Sequence, residues 1–523
     1  MNRSIIRYIL GSVLKIEAAF MLLPCIVAVF YREKQGFAYL AVGMITFLLG
    51  MLMTHRKANS SVFYLKEGCV ATALSWIFMS FFGGIPFILT GEIPSLIDAL
   101  FETVSGFTTT GASILSDVEA LSHCSLMWRS FTHWLGGMGV LVFLLAIIPL
   151  GGGSRINLMR AESPGPSVGK LVPKVKHTAQ ILYIIYIALT VVQIIFLLIG
   201  RMPLFDSLAM AFGTAGTGGF GIKNDSAGSY SPYIQWVLTI FMILFGVNFN
   251  AYYYILYKQF KKAFKMEEVR YYFLIIIASI GIICFHILET TKSFFEALTQ
   301  SSFQVASIIT TTGFSSVDFD KWPQTCKTVL VFLMFCGACA GSTGGGIKVS
   351  RFIILVKTII KDLESYIHPK CIRKIQIDKK PVEHEVVRSV NVFFITFFII
   401  FAASVFILSF EDKDLITNFT AVTATMNNIG PGLALVGPTC NFGHFTVISK
   451  LVLIFDMLAG RLELFPHQGS SPLLLPQGSK WGIFFFYMGK CSYSSGTPIR
   501  IACFLQFLWC NVTEKRKENC LSP

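Results

Sequence analysis

Hydrophobic and polar positions in this chain are arranged in long blocks. Apolar runs such as "ILYIIYIALTVVQIIFLLIG" and "VFFITFFIIFAASVFIL" alternate with loops that hold most of the charge. A helix needs about 20 apolar residues to cross the hydrocarbon core of a bilayer, and several runs approach or reach that length. The pattern predicts an all-α polytopic membrane protein that begins with two helices, over about 8–30 and 37–54.

A polar, glycine-containing strip recurs four times: "FTTTGASI" (107–114), "TAGTGGFG" (214–221), "ITTTGFSS" (309–316) and "TMNNIGPG" (425–432). Each copy follows an apolar helix and a short amphipathic segment whose length is typical of a re-entrant half-helix. Non-helical backbone at membrane depth is tolerated only where protein buries it or where it lines a water-filled path. The repeat therefore predicts four fused helix–pore-loop–helix units in a pseudo-fourfold arrangement around one ion pathway, preceded by a two-helix leader.

The predicted boundaries follow the repeat: 1–60 for the leader, 61–177, 178–265, 266–380 and 381–466 for pore units 1 to 4, and 467–523 for a divergent tail of doubtful structure. The tail is rich in Ser, Pro and Cys and has no helical periodicity. Two explanations stay open for it, out-of-frame translation and a divergent native ending.

Charge supports a membrane topology. The formal net charge is +14, yet charged residues make up only 14% of the chain, against about 25% in soluble proteins. Lys and Arg are concentrated in loops such as "KQFKKAFKMEEVR", whereas other loops are acidic. Because cytoplasmic loops are enriched in Lys and Arg, we expect the basic loops and the N-terminus in the cytosol, lipid around the helices, and no nucleic-acid partner.

The strips have the chemistry of a cation site. Backbone carbonyls can replace the hydration shell of a cation, and glycine adopts backbone angles that are closed to other residues. The C-terminal end of each half-helix would also point its partial negative charge at the strip. The Thr side chains matter less in this interpretation, since "NNIGPG" has no Thr in the strip itself.

Several motifs in this order resemble the TrkH/TrkG/KtrB superfamily of potassium uptake proteins, and most of all its TrkH branch: "SGFTTTGAS", "WRSFTHWLGGMGVLVF", "ITTTGFSSVDFDKWP", "GACAGSTGGGIKVSR" and "MLAGRLELFP". The resemblance covers about residues 1–466. It implies K⁺ uptake across the bacterial inner membrane through a selectivity filter, with no covalent cofactor. It also implies a homodimer and a TrkA-like cytosolic regulatory subunit that binds NAD or ATP.

The resemblance assigns the filter residues. Its glycines would be Gly111, Gly218, Gly313 and Gly430, and K⁺ would be held mainly by carbonyls of the two preceding residues, Thr109 and Thr110, Gly216 and Thr217, Thr311 and Thr312, and Asn428 and Ile429. The strips are shorter and less alike than those of potassium channels, so we expect only moderate selectivity for K⁺ over Na⁺.

The run "CGACAGSTGGGIKVS" in the third unit contains too many glycines for a firm helix, because each costs about 1 kcal/mol relative to Ala. The resemblance makes it an intramembrane gate, with the gate residues Gly341, Gly344, Gly345, Gly346, Lys348 and Arg461. Two alternatives stay open: close helix packing through small residues, and a snorkelling helix-end role for Arg461. A phosphate-binding loop is rejected, since no Gly directly precedes Lys348.

Other functions are weaker alternatives. A symporter that couples K⁺ to H⁺ or Na⁺ could use the same filter, although no intramembrane carboxylate relay is evident. A membrane receptor or enzyme would need a convergent set of reactive side chains, which is absent from the sequence, so we expect no enzyme activity. Arg129 is expected to be structural and paired with an outer carboxylate. Cys336 and Cys339 form one CxxC, which we interpret as small residues in a membrane helix.

Overall fold

The computed structural model describes residues 2–56, 65–137, 139, 175–368 and 374–462. This part of the chain is predominantly helical. Its named strands are the two-residue strands β1 (Gln376–Ile377) and β2 (Lys380–Pro381), which pair antiparallel. The all-α prediction is confirmed. The predictions for the divergent tail (467–523) concern residues outside the described part of the chain.

The leader consists of α1 (Arg3–Phe20), α2 (Leu22–Tyr31) and α3 (Gly36–His55). α1 and α2 together form one candidate membrane span. α1 crosses α3 where two glycines meet: a methyl group on Gly50 would lie 2.7 Å from the carbonyl oxygen of Gly11. Small residues at such a crossing let two backbones approach closely within a membrane.

The rest of the described chain repeats one order of elements. Unit 1 has α4 (Leu65–Thr90), α5 (Leu96–Phe107) and α6 (His123–Gly137). Unit 2 has α7 (Val175–Ile199), α8 (Leu204–Ala215), α9 (Pro232–Gly246), α10 (Phe249–Leu256) and α11 (Phe260–Lys265). Unit 3 has α12 (Glu267–Ile287), α13 (Phe294–Ile309), α14 (Gln324–Phe335) and α15 (Val349–Ile367). Unit 4 has α16 (His384–Leu408), α17 (Leu415–Met426) and α18 (Val447–Arg461).

Six stretches in the described part are long and apolar enough to span a membrane, or seven if the pair α9 and α10, bent by 92°, counts as one span. The first helix of every unit is among them. The half-helices α5, α8 and α17 have 12 residues each and α13 has 16. A 12-residue helix is about 18 Å long, which is too short for a hydrocarbon core of about 30 Å.

Three half-helices begin at a side-chain cap. Ser95, Ser293 and Asp414 each accept a hydrogen bond from the backbone N–H three residues later. Such caps satisfy one of the N–H groups that a helix start leaves without a partner. The caps fix where these three half-helices begin, and their C-terminal ends lie in the protein interior, where Phe107 and Ile309 are fully buried.

Candidate functional site: a ring of four strips and a Gly-rich loop

The four half-helices end in the same way. The second residue beyond the helix cap returns a hydrogen bond to a carbonyl five residues earlier, as in a Schellman motif. These bonds run from Thr110 to Ser105 (2.8 Å), Gly218 to Gly213 (2.9 Å), Thr312 to Ser307 (2.8 Å) and Ile429 to Ala424 (2.9 Å). The four strips therefore start from helix ends with the same hydrogen-bond pattern.

Each strip begins with a residue in the left-handed region. The four residues are Thr109 (φ 56°), Thr217 (φ 52°), Thr311 (φ 58°) and Asn428 (φ 54°). Glycine is the usual occupant of this position, and a β-branched residue there is a true conformational outlier. Strain of this kind persists only where the surroundings impose it, and it clusters at functional sites.

A glycine with positive φ follows two residues later in every strip: Gly111 (φ 78°), Gly219 (φ 78°), Gly313 (φ 85°) and Gly430 (φ 99°). The intervening residue does not have positive φ. The backbone is thus the same in four strips whose sequences differ, TTG, TGG, TTG and NIG.

This backbone corrects the assignment in unit 2, which was one residue out of register. Gly219, and not Gly218, occupies the position of the other strip glycines, and Thr217 and Gly218 match the two residues before them. Gly216 still has right-handed helical angles, with φ −72°, as the cap of α8. The sequence "GTGG" offers three glycines in four positions, so only the backbone angles could select the right one.

The four strips meet in a closed ring. A methyl group added to any strip glycine would collide with a carbonyl oxygen of the next strip, so only glycine permits this approach. The four contacts run in chain order from Gly111 to Gly218, from Gly219 to Thr312, from Gly313 to Ile429 and from Gly430 to Thr110. Each unit touches the next in an equivalent place, and the fourth returns to the first.

The seam between units 4 and 1 joins the most distant parts of the chain. The Asn428 side-chain amide donates to Thr110 Oγ1 over 2.9 Å. Near the strip exits, the Phe442 N–H donates to the Ser113 carbonyl over 2.8 Å. At the start of α5, Lys450 and Asp98 form an ion pair of 2.6 Å. These contacts close the ring without a covalent link.

A buried ion pair supports strip 1. Arg129 Nε donates to Glu102 Oε1 over 2.8 Å, and both side chains are almost fully buried. Glu102 also accepts from the Ile114 N–H (3.0 Å), and the Arg129 guanidinium lies 4.0 Å from the centre of the Phe220 ring. The pair thus links strip 1 to Phe220, the residue directly after Gly219 in strip 2. The expected pairing of Arg129 with a carboxylate is confirmed.

His133 is a supporting residue that the sequence analysis missed. Its Nδ1 lies 2.8 Å from the Gly106 carbonyl, so that nitrogen is assigned as the donor, and Nε2 accepts from the Phe220 N–H over 3.2 Å. The ring therefore joins α5 to strip 2. A methyl group on Gly218 would collide with this imidazole.

The second helices of the units approach the half-helix ends through glycines. A methyl group on Gly136 would collide with the Phe107 carbonyl, and one on Gly460 with the Met426 carbonyl. In unit 2, α9 ends at Gly246 and the chain bends sharply into α10. Glycine at this depth is therefore a feature of several units and not of the third alone.

The prediction of a broken helix in unit 3 is confirmed. α14 ends at Phe335 and α15 begins at Val349, and residues 336–348 form the Gly-rich loop. Its limbs are joined by a bond from the Gly337 N–H to the Ile347 carbonyl (2.9 Å). Its tip reaches the ring, where the Gly345 N–H donates to Thr311 Oγ1 over 2.6 Å.

Two cations contact this loop. Lys348 Nζ donates to the Gly345 carbonyl over 3.1 Å and also bonds the Gly344 carbonyl. Arg461 donates to the Thr343 carbonyl (3.2 Å) and the Gly137 carbonyl (3.0 Å), so it joins unit 4 to the loop and to unit 1. The Arg461 guanidinium thus contacts backbone carbonyls of the protein in two other units.

Single carboxyl groups lie within the helices of the membrane part. Asp456, on α18, is fully buried; its Oδ1 accepts from Ser404 Oγ over 2.8 Å, and its Oδ2 has no hydrogen-bond partner. Glu17, on α1, is also buried. Within the described residues, no group of three or more His, Cys, Asp or Glu is placed to hold a metal ion.

Comparison with known proteins identifies the family. The family model for TrkH, described as a cation transport protein, matches residues 35–483, which extends beyond Pro466. The Trk system potassium uptake protein TrkH of Salmonella typhimurium is 34% identical over 465 residues, or 87% of this chain and 96% of that protein. TrkG of Escherichia coli is 31% identical over 475 residues, or 89% of this chain and 98% of that protein.

A solved structure gives the same result. The crystal structure of the potassium transporter TrkH from Vibrio parahaemolyticus superposes with a TM-score of 0.80 and 30% sequence identity, over 89% of this chain and 98% of that one. These relatives are named as transporters. The chain belongs to the TrkH family of cation transport proteins.

Proposed function

We propose that this chain takes up potassium across the bacterial cytoplasmic membrane, with K⁺ passing through the ring of four strips. One observation carries the proposal: four strips of different sequence share one backbone and touch each other in cyclic order. Relatives named as potassium uptake proteins support the choice of ion.

K⁺ would be held by backbone carbonyls. With the register of unit 2 corrected, the proposed carbonyl residues are Thr109 and Thr110, Thr217 and Gly218, Thr311 and Thr312, and Asn428 and Ile429. The Thr hydroxyls are largely engaged elsewhere; Thr108 and Thr110 bond each other at 2.8 Å, and Thr310 and Thr312 at 2.7 Å. This arrangement favours carbonyls as the ligands that replace water around the ion.

The Gly-rich loop would close the pathway next to the ring. Opening would require the bonds from Gly345 to Thr311 and from Arg461 to Thr343 to break, while Arg461 adds a positive charge that opposes cation passage. We further propose a homodimer with a cytosolic N-terminus. A TrkA-like cytosolic subunit that binds NAD or ATP would supply the energy for opening.

Coupled symport is the second candidate, and Asp456 favours it. A buried carboxyl with a free oxygen at membrane depth is a typical proton site. Imposed pH and Na⁺ gradients in proteoliposomes separate the two candidates. Under symport the pH gradient drives K⁺ entry, and Asp456→Asn abolishes that drive; for an uncoupled pathway neither gradient matters beyond the voltage it creates.

The direct test is growth at low K⁺ in a host that lacks K⁺ uptake, with and without the regulatory subunit. We expect rescue by the wild-type chain and by Gly281→Ala, since a methyl group on Gly281 would meet open space. Gly219→Ala should not rescue, because its methyl group would collide with the Thr312 carbonyl. Failure of the wild-type chain under both conditions, with the protein present in the membrane, would overturn the proposal.

A further inference from the structure

The base of the Gly-rich loop rests on one buried carboxylate. Glu268, in the first turn of α12, is 7% exposed. Its Oε1 accepts from the Ala340 N–H over 2.7 Å and from the Ser350 N–H over 3.1 Å. Its Oε2 accepts from the Asn248 side-chain amide over 3.3 Å. The carboxylate thus holds both limbs of the loop and the bend after α9.

We propose that Glu268 is a positioning residue that clamps the Gly-rich loop in its closed position against the ring. The role of the loop as a gate rests on the proposed function, whereas the clamp itself does not. Ala340 and Ser350 lie on opposite sides of the loop tip, so a single oxygen atom joins the two sides, in addition to the backbone bond from Gly337 to Ile347.

All three hydrogen bonds to the Glu268 carboxyl come from N–H donors, so it acts only as an acceptor, which is the arrangement that suits an ionised carboxylate. Hydrogen bonds to an ionised acceptor contribute roughly twice as much as neutral ones. The loop contains five glycines between residues 337 and 346, and glycine gains the most backbone freedom when a structure opens. A loop of this composition needs outside contacts to keep one conformation. Glu268 supplies two of them at the base, beside backbone bonds such as the one from the Phe249 N–H to the Gly341 carbonyl.

The neighbouring carboxylate provides a matched control. Glu267 is one residue away in the same helical turn, but it points elsewhere: it pairs with Lys357 of α15 at 2.6 Å. Its backbone N–H donates to Asp378 Oδ1 over 2.7 Å. Glu267→Gln therefore removes a carboxylate from the start of α12 and leaves the loop contacts intact.

The test measures loop opening independently of transport. The Cys339 thiol is a free, fully buried group within the loop, whereas Cys326 is an equally buried thiol in α14. Full-length protein would be treated with iodoacetamide, and the modification rate at each thiol followed by mass spectrometry. In Glu268→Gln we expect the rate at Cys339 to rise about tenfold, the effect of losing roughly 1.4 kcal/mol of closed-state stability, with no change at Cys326.

If Glu268→Gln does not fold, Glu268→Asp replaces it. Its shorter side chain can bond one of the two N–H groups but not both, so the rate at Cys339 should rise by less. An unchanged rate at Cys339, an equal rise at Cys326, or an equal rise in Glu267→Gln would each overturn the clamp. In proteoliposomes without the regulatory subunit, Glu268→Gln should raise basal K⁺ flux and keep the K⁺/Na⁺ ratio. A wild-type chain that carries no K⁺ contradicts the proposed function, while the Cys339 rates still decide the clamp.

Discussion

The ring and the Gly-rich loop touch each other, yet they are held by different kinds of contact. In the ring, the backbone of each strip packs against the backbone of the next, as Gly313 does against Ile429. The loop is held by hydrogen bonds, some with polar side chains such as Thr311 and Arg461 and some with the backbone of unit 2, as from the Phe249 N–H to the Gly341 carbonyl. Backbone contacts in a closed ring cannot be exchanged singly, whereas hydrogen bonds of about 1 kcal/mol can break and re-form. The difference suits the proposed roles of the ring as a fixed filter and of the loop as a movable gate.

The largest effect on ion selectivity is expected at the strip glycines, where the ring leaves no space for a side chain. Gly313→Ser places a side chain against the Ile429 carbonyl and forces an unfavourable positive φ. We expect the K⁺ preference over Na⁺ to fall by about tenfold or more, equivalent to about 1.4 kcal/mol. Ion fluxes in proteoliposomes measure the ratio.

Gly281→Ser is the matched control for this substitution, since that position has open space around it. A Gly313→Ser protein that keeps the wild-type K⁺/Na⁺ ratio would show that the ring does not select ions.

The largest effect on stability is expected at the buried ion pair that supports the ring. Arg129→Met leaves Glu102 buried without its cation, and breaking a buried ion pair costs about 3–5 kcal/mol. We expect a lower thermal unfolding midpoint in detergent. The double variant Arg129→Met with Glu102→Leu should recover part of the loss, because no uncompensated charge remains. Equal destabilisation in both variants would argue against an ion-pair role.

A smaller effect is expected at the contact between ring and loop. Thr311→Val removes the acceptor for the Gly345 N–H while keeping the shape of the side chain. The loss of about 1 kcal/mol predicts a rise of about fivefold in basal flux without the regulatory subunit. Thr328→Val is the control, since its hydroxyl bonds only within α14 at an exposed position. If the basal flux of Thr311→Val equals that of the wild type, the hydrogen bond of Thr311 does not keep the loop closed.

The smallest effect is expected at Glu33, which lies outside both the ring and the Gly-rich loop. Burial raises the pKa of the Glu33 carboxyl, but hydrogen bonds from the backbone N–H groups of Cys124 and His123 outweigh it and lower that pKa below 4.5. Its contribution to stability is therefore present above pH 4.5 and is lost as the pH falls through the lowered pKa.

Glu33→Gln should cost less than about 1 kcal/mol at neutral pH and should flatten the acid side of the stability curve measured by thermal unfolding. A Glu33→Gln protein with the same acid sensitivity as wild type would assign that sensitivity to other carboxyls.

Sequence could predict the features that repeat. Short amphipathic segments before Gly-containing strips predicted the half-helices, and the glycine density predicted the broken helix after Phe335. The register of strip 2 was missed because "GTGG" contains alternatives that only backbone angles distinguish. Supporting residues such as His133 and Glu268 were missed for another reason. One polar residue in an apolar helix gives no signal of its partner, which lies on a different unit or loop.

The ring also has a consequence for how this transporter can change over time. In a tetramer of identical subunits every substitution appears four times, so a small destabilising effect acts at four places around the pore axis. Here one chain supplies all four quarters, so a mutation alters a single quarter. Asn428, where the other strips have Thr, and the Gly-rich loop of unit 3 are differences between quarters that a tetramer of identical subunits could not have.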